Sequence, residues 1–393
     1  MSRAGWRETT LGEVVLINPK VPKLQEDSPF IEMADVDTWG RWAFPSGPKG
    51  KRGGIRATGG DTLMARITPC LENGKIAQIP DDYGDVGGST EFIVLRATDE
   101  TIPEFVFLLA QSHRVHSESI GLMVGTSGRQ RVSAKDVASI QVFLPPVEEQ
   151  REIVNLMQAL DHMIQAGDRE ISSTERMRRD ILDALLDPAG QSWEEIMLGE
   201  RISITRRNVK PENFGSEIVP LYSIPGFDDG EFPQETESNS VKSTKLEVDE
   251  DSILISLLNP RIPRVSQAMI PGYCSTEFAV VQPEDGLDFD FLYYLFSGTE
   301  FSDYLTKASR GTTGSRTRAT RQDILDYPAS VPSLGAQEKI VEKMQTLDAY
   351  LESAKRSQEA LKQVRKDALH ALLSGDKDVR DLAEMFATDE DMA

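Results

Sequence analysis

Two cysteines, four histidines and no long apolar run set the first limits on this chain of 393 residues. Cys70 and Cys274 are too few for a disulfide framework, so buried packing is their expected role. His113, His116, His162 and His370 are scattered, and no cysteine or third histidine lies near the 113–116 pair to complete a zinc site. No stretch approaches the roughly 20 apolar residues of a membrane helix. The opening MSRAGWRETTLGE lacks the basic-then-apolar run of a signal peptide. A cytoplasmic location without membrane contact is therefore expected. Catalytic signatures are missing as well. There is no Gly-x-x-x-x-Gly-Lys-Ser/Thr loop for an ATP-driven motor. Asn18-Pro19-Lys20 and Asn259-Pro260-Arg261 both fail at the third position of the Asn-Pro-Pro-aromatic run with which an amino-methyltransferase holds its target amine. The chain is expected to be non-catalytic alone and to hold no cofactor or metal.

Positive charge is also scarce. Against 64 Asp and Glu stand 43 Lys and Arg, a net charge of −21. Such a balance opposes nonspecific binding to phosphate, because counterion release needs lysine and arginine. The acid is unevenly placed. Residues 1–147 hold 16 basic and 18 acidic side chains, whereas residues 193–334 hold 13 and 23. Only local basic clusters can support a nucleic-acid role. With 39% hydrophobic and 27% charged residues, the composition is that of a folded globular chain long enough for two or more domains.

What is present is a repeat. Trp6-x-x-x-x-Leu11-Gly12-Glu13 returns as Trp193-x-x-x-x-Leu198-Gly199-Glu200, 187 residues on. The run Asp61–Ala65 returns at Asp251–Ile255, Ser89-Thr-Glu-Phe92 at Ser275-Thr-Glu-Phe278, and Gly125-Thr126-Ser127-Gly128 at Gly311-Thr312-Thr313-Gly314. Pro145 and Gln150 match Pro332 and Gln337, and Asp180-x-Leu182-x-Ala184-Leu185-Leu186 matches Asp367-x-Leu369-x-Ala371-Leu372-Leu373. Six markers in one order mean a tandem duplication.

Each copy begins with about 140 residues of short β-rich runs and turn clusters, a mixed α/β domain. Strands are expected at Glu13–Ile17, Glu91–Leu95, Ser252–Ser256 and Ile202–Ile204, turns across Pro45–Gly60, and short helices at Pro103–Gln111 and Phe289–Phe296. A long helix follows. Ile153, Leu156, Leu160, Ile164, Gly167, Ile171, Thr174, Arg178, Ile181 and Leu185 advance in steps of three and four. Ile340, Met344, Leu347, Leu351, Ala354, Gln358, Leu361, Arg365, Ala368 and Leu372 do the same. This is the spacing of a coiled-coil seam, and each helix runs roughly 55 Å. Prolines at 145, 146 and 332 end the strands before the helices, and Pro188 and Gly375 end the helices themselves. The expected plan is an α+β chain. Domains at 1–147 and 189–334 are each followed by a helix, at 148–188 and 335–375, and an acidic tail occupies 376–393. The two helices are expected to pair as an antiparallel coiled coil with pseudo-two-fold symmetry; packing of each on its own domain is the plainer alternative.

The Trp-x-x-x-x-Leu-Gly-Glu opening, the Gly-Thr-Ser/Thr-Gly loop and the junction Leu144-Pro-Pro-Val-Glu-Glu-Gln150-Arg-Glu-Ile-Val154 resemble the DNA-specificity subunits of type I restriction-modification systems. The resemblance covers residues 6–373. The second junction, Val331-Pro-Ser-Leu-Gly-Ala-Gln337, lacks the second Pro and the Glu. The resemblance implies that each domain reads one half of a bipartite double-stranded DNA target and that the helices set the gap. It also implies two docked methyltransferase subunits, carrying S-adenosylmethionine and flipping an adenine, and a separate motor-nuclease subunit. Pseudo-two-fold symmetry suits two half-sites at fixed separation.

Three basic clusters are candidate DNA contacts. Lys49, Lys51, Arg52 and Arg56 lie in a Gly-rich stretch. Arg206, Arg207 and Lys210 follow Ile202–Ile204. Arg310, Thr312, Thr313, Arg316, Arg318 and Arg321 are matched in the first copy by Thr126, Ser127, Arg129 and Arg131, with Lys135 near. Arg261 and Arg264 flank Pro263. Arginine pairs with guanine by two parallel hydrogen bonds, and hydroxyls and backbone N–H groups hold phosphate. The plain alternative is surface loops with arginines paired to acids. Other functions open to the sequence are recognition for another modification-based defence system, an acidic mimic of DNA, and a coiled-coil scaffold.

Overall fold

The structure is a computed structural model that describes residues 5–126, 128–311 and 317–382. Its contacts divide the chain into two units, residues 1–168 with 357–393 and residues 169–356. The division cuts through both long helices, which run Val147–Leu186 and Leu334–Ser374.

The first unit has a four-stranded antiparallel sheet in the order Val15–Ile17, Phe92–Ala97, Thr62–Ala65, Ile76–Gln78. A second sheet runs Gly47–Pro48, Pro29–Ile31, Asp85–Gly88, Ile55–Thr58, with one parallel pair between Pro29–Ile31 and Asp85–Gly88. A two-stranded ribbon of Arg7–Thr10 and Gln141–Leu144 closes the domain. The second unit repeats this. Ile202–Ile204, Phe278–Pro283, Ser252–Ser256 and Val265–Ala268 form the antiparallel sheet. Asn208–Val209, Lys245–Val248, Gly272–Cys274, Ile218–Tyr222 and Gln234–Glu237 form the other sheet, whose parallel pair is Gly272–Cys274 with Ile218–Tyr222. Glu194–Met197 pairs with Pro328–Val331. The duplication read in the sequence is thus a duplication of topology.

The recurring motifs have structural work at these ribbons. The backbone N–H of Leu11 donates to Ile140 (2.8 Å) and that of Leu198 to Tyr327 (3.0 Å). A Cβ on Gly12 would lie 2.9 Å from the Ala138 Cβ, and one on Gly199 3.1 Å from the Leu325 Cβ, so the Leu-Gly step is needed for close approach. Gln150 and Gln337 are fully buried at the helix starts. Gln150 accepts from the Ile102 N–H (3.1 Å) and donates to Glu100 (2.8 Å) and Pro145 (3.0 Å) carbonyls. Gln337 accepts from the Asp288 N–H (2.8 Å) and donates to Gly286 (3.0 Å) and Pro332 (2.9 Å). Each glutamine thereby ties the long helix to the start of the short helix, Pro103–Gln111 or Phe289–Ser297.

The helices pair antiparallel within each unit. In the first, Arg365 binds Asp161 through its Nε and Nη2, and Gln358 donates to the Ile164 carbonyl (2.6 Å) and the Asp168 carboxylate (2.8 Å). In the second, Arg178 binds Asp348, and Tyr350 donates to Glu170 (2.5 Å). Arg178 and Arg365 are copies of one another, as are Asp161 and Asp348, so the two ion pairs are one contact made reciprocally. The helices also enter the domain cores. The first unit's core takes Ile153, Met157 and Leu160 together with Ala368, Leu369 and Leu372; the second takes Leu182 with Ile340, Val341 and Met344. Burying a Leu or Ile side chain of this kind stabilises by about 1.5–3 kcal/mol. Both expected modes of helix packing therefore occur at once.

Several local expectations need correction. Glu13 and Val14 are helical, in Leu11–Val14, because the Glu13 carboxylate turns back to accept from the Thr10 N–H (3.2 Å) and the Thr9 hydroxyl (2.5 Å). The stretch 45–60 contains a strand, Ile55–Thr58, whose partner Asp85–Gly88 is remote in sequence and invisible to local turn composition. On the seam Ile181 is 37% exposed while Leu182 is fully buried; a straight helix drifts off a strict 3.5-residue repeat. Ile153, Leu160, Ile340, Leu351 and Leu372 are buried, but Ile164, Ile171, Leu347 and Leu361 are only half-buried, since a two-helix seam covers each residue on one side.

Candidate nucleic-acid interface

The loops carrying the Gly-Thr-Ser/Thr-Gly motif are closed by the same web of bonds in both units. In the first, Val124 and Arg131 exchange backbone hydrogen bonds (3.0 and 2.9 Å), Thr68 N–H donates to Gln130 (3.0 Å), and Val132 N–H donates to Arg66 (3.0 Å). In the second, Arg310 and Arg318 exchange them (2.9 Å each), Asn259 N–H donates to Thr317 (2.8 Å), and Ala319 N–H donates to Leu257 (2.9 Å). Gly125 stands at φ +140°, and a Cβ there would meet the Arg129 carbonyl at 2.8 Å. A glycine is required.

The side chains add one repeated contact. Arg131 grips Glu91 with Nε (2.9 Å) and Nη2 (2.8 Å), and Arg318 grips Glu277 with the same atoms (2.9 Å each). These acids are the third letters of the repeated Ser-Thr-Glu-Phe. The hydrogen bonds raise the arginine pKa values further, and Arg131 holds the Glu91 carboxyl below its ordinary range. A depressed carboxylate contributes stability that is complete above the unfolded carboxylate pKa and is lost as pH falls through the native one. Closure of the first loop is therefore expected to weaken in acid, visible as faster amide exchange at Val124 once intrinsic rates are removed.

The remaining candidates separate into engaged and unengaged groups. Arg321 donates to the Phe278 (3.0 Å) and Thr276 (3.3 Å) carbonyls and is half-buried. Arg264 has a side chain that is 9% exposed and grips Asp228 with Nε (2.6 Å) and Nη2 (2.8 Å), which gives it a part in holding the fold. Arg52 pairs with Glu32 and stacks on Phe30 at 4.3 Å, Arg56 lies in a strand and donates to the Val21 carbonyl (2.8 Å), and Lys49 donates to the Gly50 carbonyl (3.4 Å). Arg207 is held by Asp249 and Glu247, and Lys210 lies 3.7 Å from Glu212. Lys51, Arg129, Arg206, Arg261 and Arg310 are exposed and make no ion pair among the described residues. Thr126 is exposed and its carbonyl accepts from the Arg129 N–H (2.9 Å). Ser127, Thr312, Thr313 and Arg316 lie outside the described residues. Sequence reasoning missed Glu91 and Glu277 as partners of the loops. The available signal was their recurrence as charged residues at the entrance to apolar strands.

Among the described residues, no group of three or more His, Cys, Asp or Glu is placed to hold a metal ion, and no helix is long and apolar enough to cross a membrane. Cys274 is buried, which pushes its thiol up to about 12, while Cys70 is half-buried and free.

The family described as the type I restriction modification DNA specificity domain matches residues 4–172 and 191–363. The chain belongs to this family. The two matches begin with the spacing of the internal repeat, so the specificity domain occurs twice. The EcoEI specificity subunit of Escherichia coli is 29% identical over 204 residues, covering 49% of this chain and 34% of that protein. The MjaVIII specificity subunit of Methanocaldococcus jannaschii is 22% identical over 286 residues, covering 65% of this chain and 66% of that protein. The chain thus spans about a third of the length of the EcoEI relative. A chain solved in work on complex assembly and conformational transition of the type I R-M system has the same fold, with a TM-score of 0.66 at 21% identity over 94% of this chain and 98% of that one. The type I S subunit from M. genitalium aligns with a TM-score of 0.50 at 15% identity over 94% and 96%. Mixed α/β domains with long helices are therefore the specificity-family architecture.

Proposed function

We propose that this chain is the DNA-sequence-specificity subunit of a type I restriction-modification complex. Residues 1–147 and 189–334 each read one half of a bipartite double-stranded target, and the helices at 148–188 and 335–375 space them. Two methyltransferase subunits dock on the chain and bring S-adenosylmethionine, and a motor-nuclease subunit completes the assembly. The observation that carries this reading is the loop whose ends are closed bond for bond in both units, each with an exposed arginine beside it that makes no ion pair among the described residues. An acidic mimic of DNA would have no use for two such arginine loops. A net charge of −21 also predicts weak DNA binding by the isolated chain and much tighter binding once methyltransferase subunits are present; titration of labelled duplex with and without the partner checks this.

The deciding experiment maps modified bases in cells expressing the chain with its neighbouring methyltransferase gene. Methyl-adenine at a two-part motif of fixed gap, absent without this chain, is the expected result. Unmodified DNA beside an active methyltransferase would sink the proposal. Inserting one heptad into both helices, about 10 Å of rise, is expected to widen the gap by roughly three base pairs. An unchanged gap would refute the spacer role.

A further inference from the structure

The two loops share one closure, and their described arginines divide into held and unheld ones. Arg131 and Arg318 occupy equivalent places, each bridged on one side to its turn partner and on the other to Ile67 or Leu258. Each spends its Nε–Nη2 edge on a glutamate whose own strand is bonded to the same web: Arg66 N–H donates to the Glu91 carbonyl (2.9 Å) and Leu257 N–H to that of Glu277 (2.7 Å). That edge offers the two parallel donors an arginine would present to guanine. An arginine already held so must first leave its glutamate to read a base, which costs one ion pair and loosens the closure. Arg129 and Arg310 differ. Both are exposed, neither makes a side-chain hydrogen bond or ion pair among the described residues, and they stand at inequivalent places, one after Gly128 and one before Gly311.

We propose that Arg131–Glu91 and Arg318–Glu277 are positioning pairs that hold the closed ends of the two loops, and that, among the described arginines beside them, Arg129 and Arg310 meet DNA. This rests on the function proposed above. The pairs give the recurring Ser-Thr-Glu-Phe motif a task, since its glutamate supplies the carboxylate that Arg131 or Arg318 grips. They also give Arg131 and Arg318, which composition alone would nominate as contacts, a different task.

The test uses the full chain with its methyltransferase partner and scores each half-site of the modified-base map separately, with amide exchange of the purified chain as a second readout. Glu91→Gln is expected to raise exchange at Val124 and Arg131 about fivefold, the scale of one exposed ion pair. It is also expected to relax several positions of one half-site and leave the other intact. The double exchange Glu91→Arg with Arg131→Glu is expected to recover both readouts relative to either single change. Arg129→Ala is expected to leave exchange unchanged and lose discrimination at one position of that half-site, with no rescue. Glu277→Gln and Arg310→Ala are expected to act alike on the other half-site. Wild-type exchange and an unaltered motif in Glu91→Gln would overturn the positioning role. An unaltered motif in both Arg129→Ala and Arg310→Ala would overturn the contact role. A wild-type complex that marks no bipartite motif would instead overturn the specificity function, and the exchange results would still decide whether the pairs close the loops.

Discussion

Gln337→Ala is expected to destabilise the second unit by about 3–5 kcal/mol. The side chain is fully buried and makes three hydrogen bonds, all to backbone. Its removal strands the Asp288 N–H and the carbonyls of Gly286 and Pro332, at about 1–3 kcal/mol for each unsatisfied buried group, less for carbonyls with a second lone pair. The damage spreads, because Asp288 caps the helix Phe289–Ser297 by accepting from the Phe291 N–H (2.8 Å). Gln337→Glu is expected to be no better, since a carboxylate would face two carbonyls without a donor. Gln150→Ala is expected to cost the first unit a similar amount through Ile102, Glu100 and Pro145. Because two units need not unfold together, amide exchange of protected core strands is the measurement, read unit by unit. A cost under about 1 kcal/mol would show that water replaces the glutamine, and the tie between helix and domain would then lie elsewhere.

Asp348→Ala is expected to cost about 2–3 kcal/mol, and Asp161→Ala about as much in the other unit. The Asp348 carboxylate accepts from Arg178 Nη2 (3.0 Å) and from the Tyr294 hydroxyl (2.8 Å), and burial together with this acceptor raises the Tyr294 pKa. Arg178 and Asp348 are 20% and 31% exposed, and Arg365 and Asp161 16% and 17%. Losing one partner leaves a part-buried arginine short of its counter-charge, though residual solvent lowers the cost below that of a sealed pair. If the pairs fix helix register more than they add stability, replacing both partners of one pair by leucine and methionine should restore most of the stability. The double replacement, followed by exchange along the helices, distinguishes these contributions. Equal, small effects at all four positions would mean that the reciprocity follows from the duplication and does not hold the helices together.

The sequence alone carried the architecture, because duplication and apolar spacing are local, countable properties. Six markers established two copies, and three-four stepping established the helices; the solved relatives share that fold. The clusters around the Gly loops were equally visible, since glycines and arginines announce themselves by type. What the sequence could not assign was the task of each arginine. Arg129, Arg131, Arg264 and Arg318 look alike in a string of letters. Their roles depend on whether a carboxylate from a distant strand arrives at the guanidinium, as Glu91 reaches Arg131 across 40 residues and Asp228 reaches Arg264 across 36. The same holds for the helices. Their existence follows from periodicity, but which half of each helix joins which unit depends on antiparallel pairing, which brings residues such as Asp161 and Arg365 together across 204 positions. Helices and turns are governed by neighbours within a few residues and so are written locally. Ion pairs, buried glutamines and shared cores are governed by proximity in space, and only the folded chain decides them.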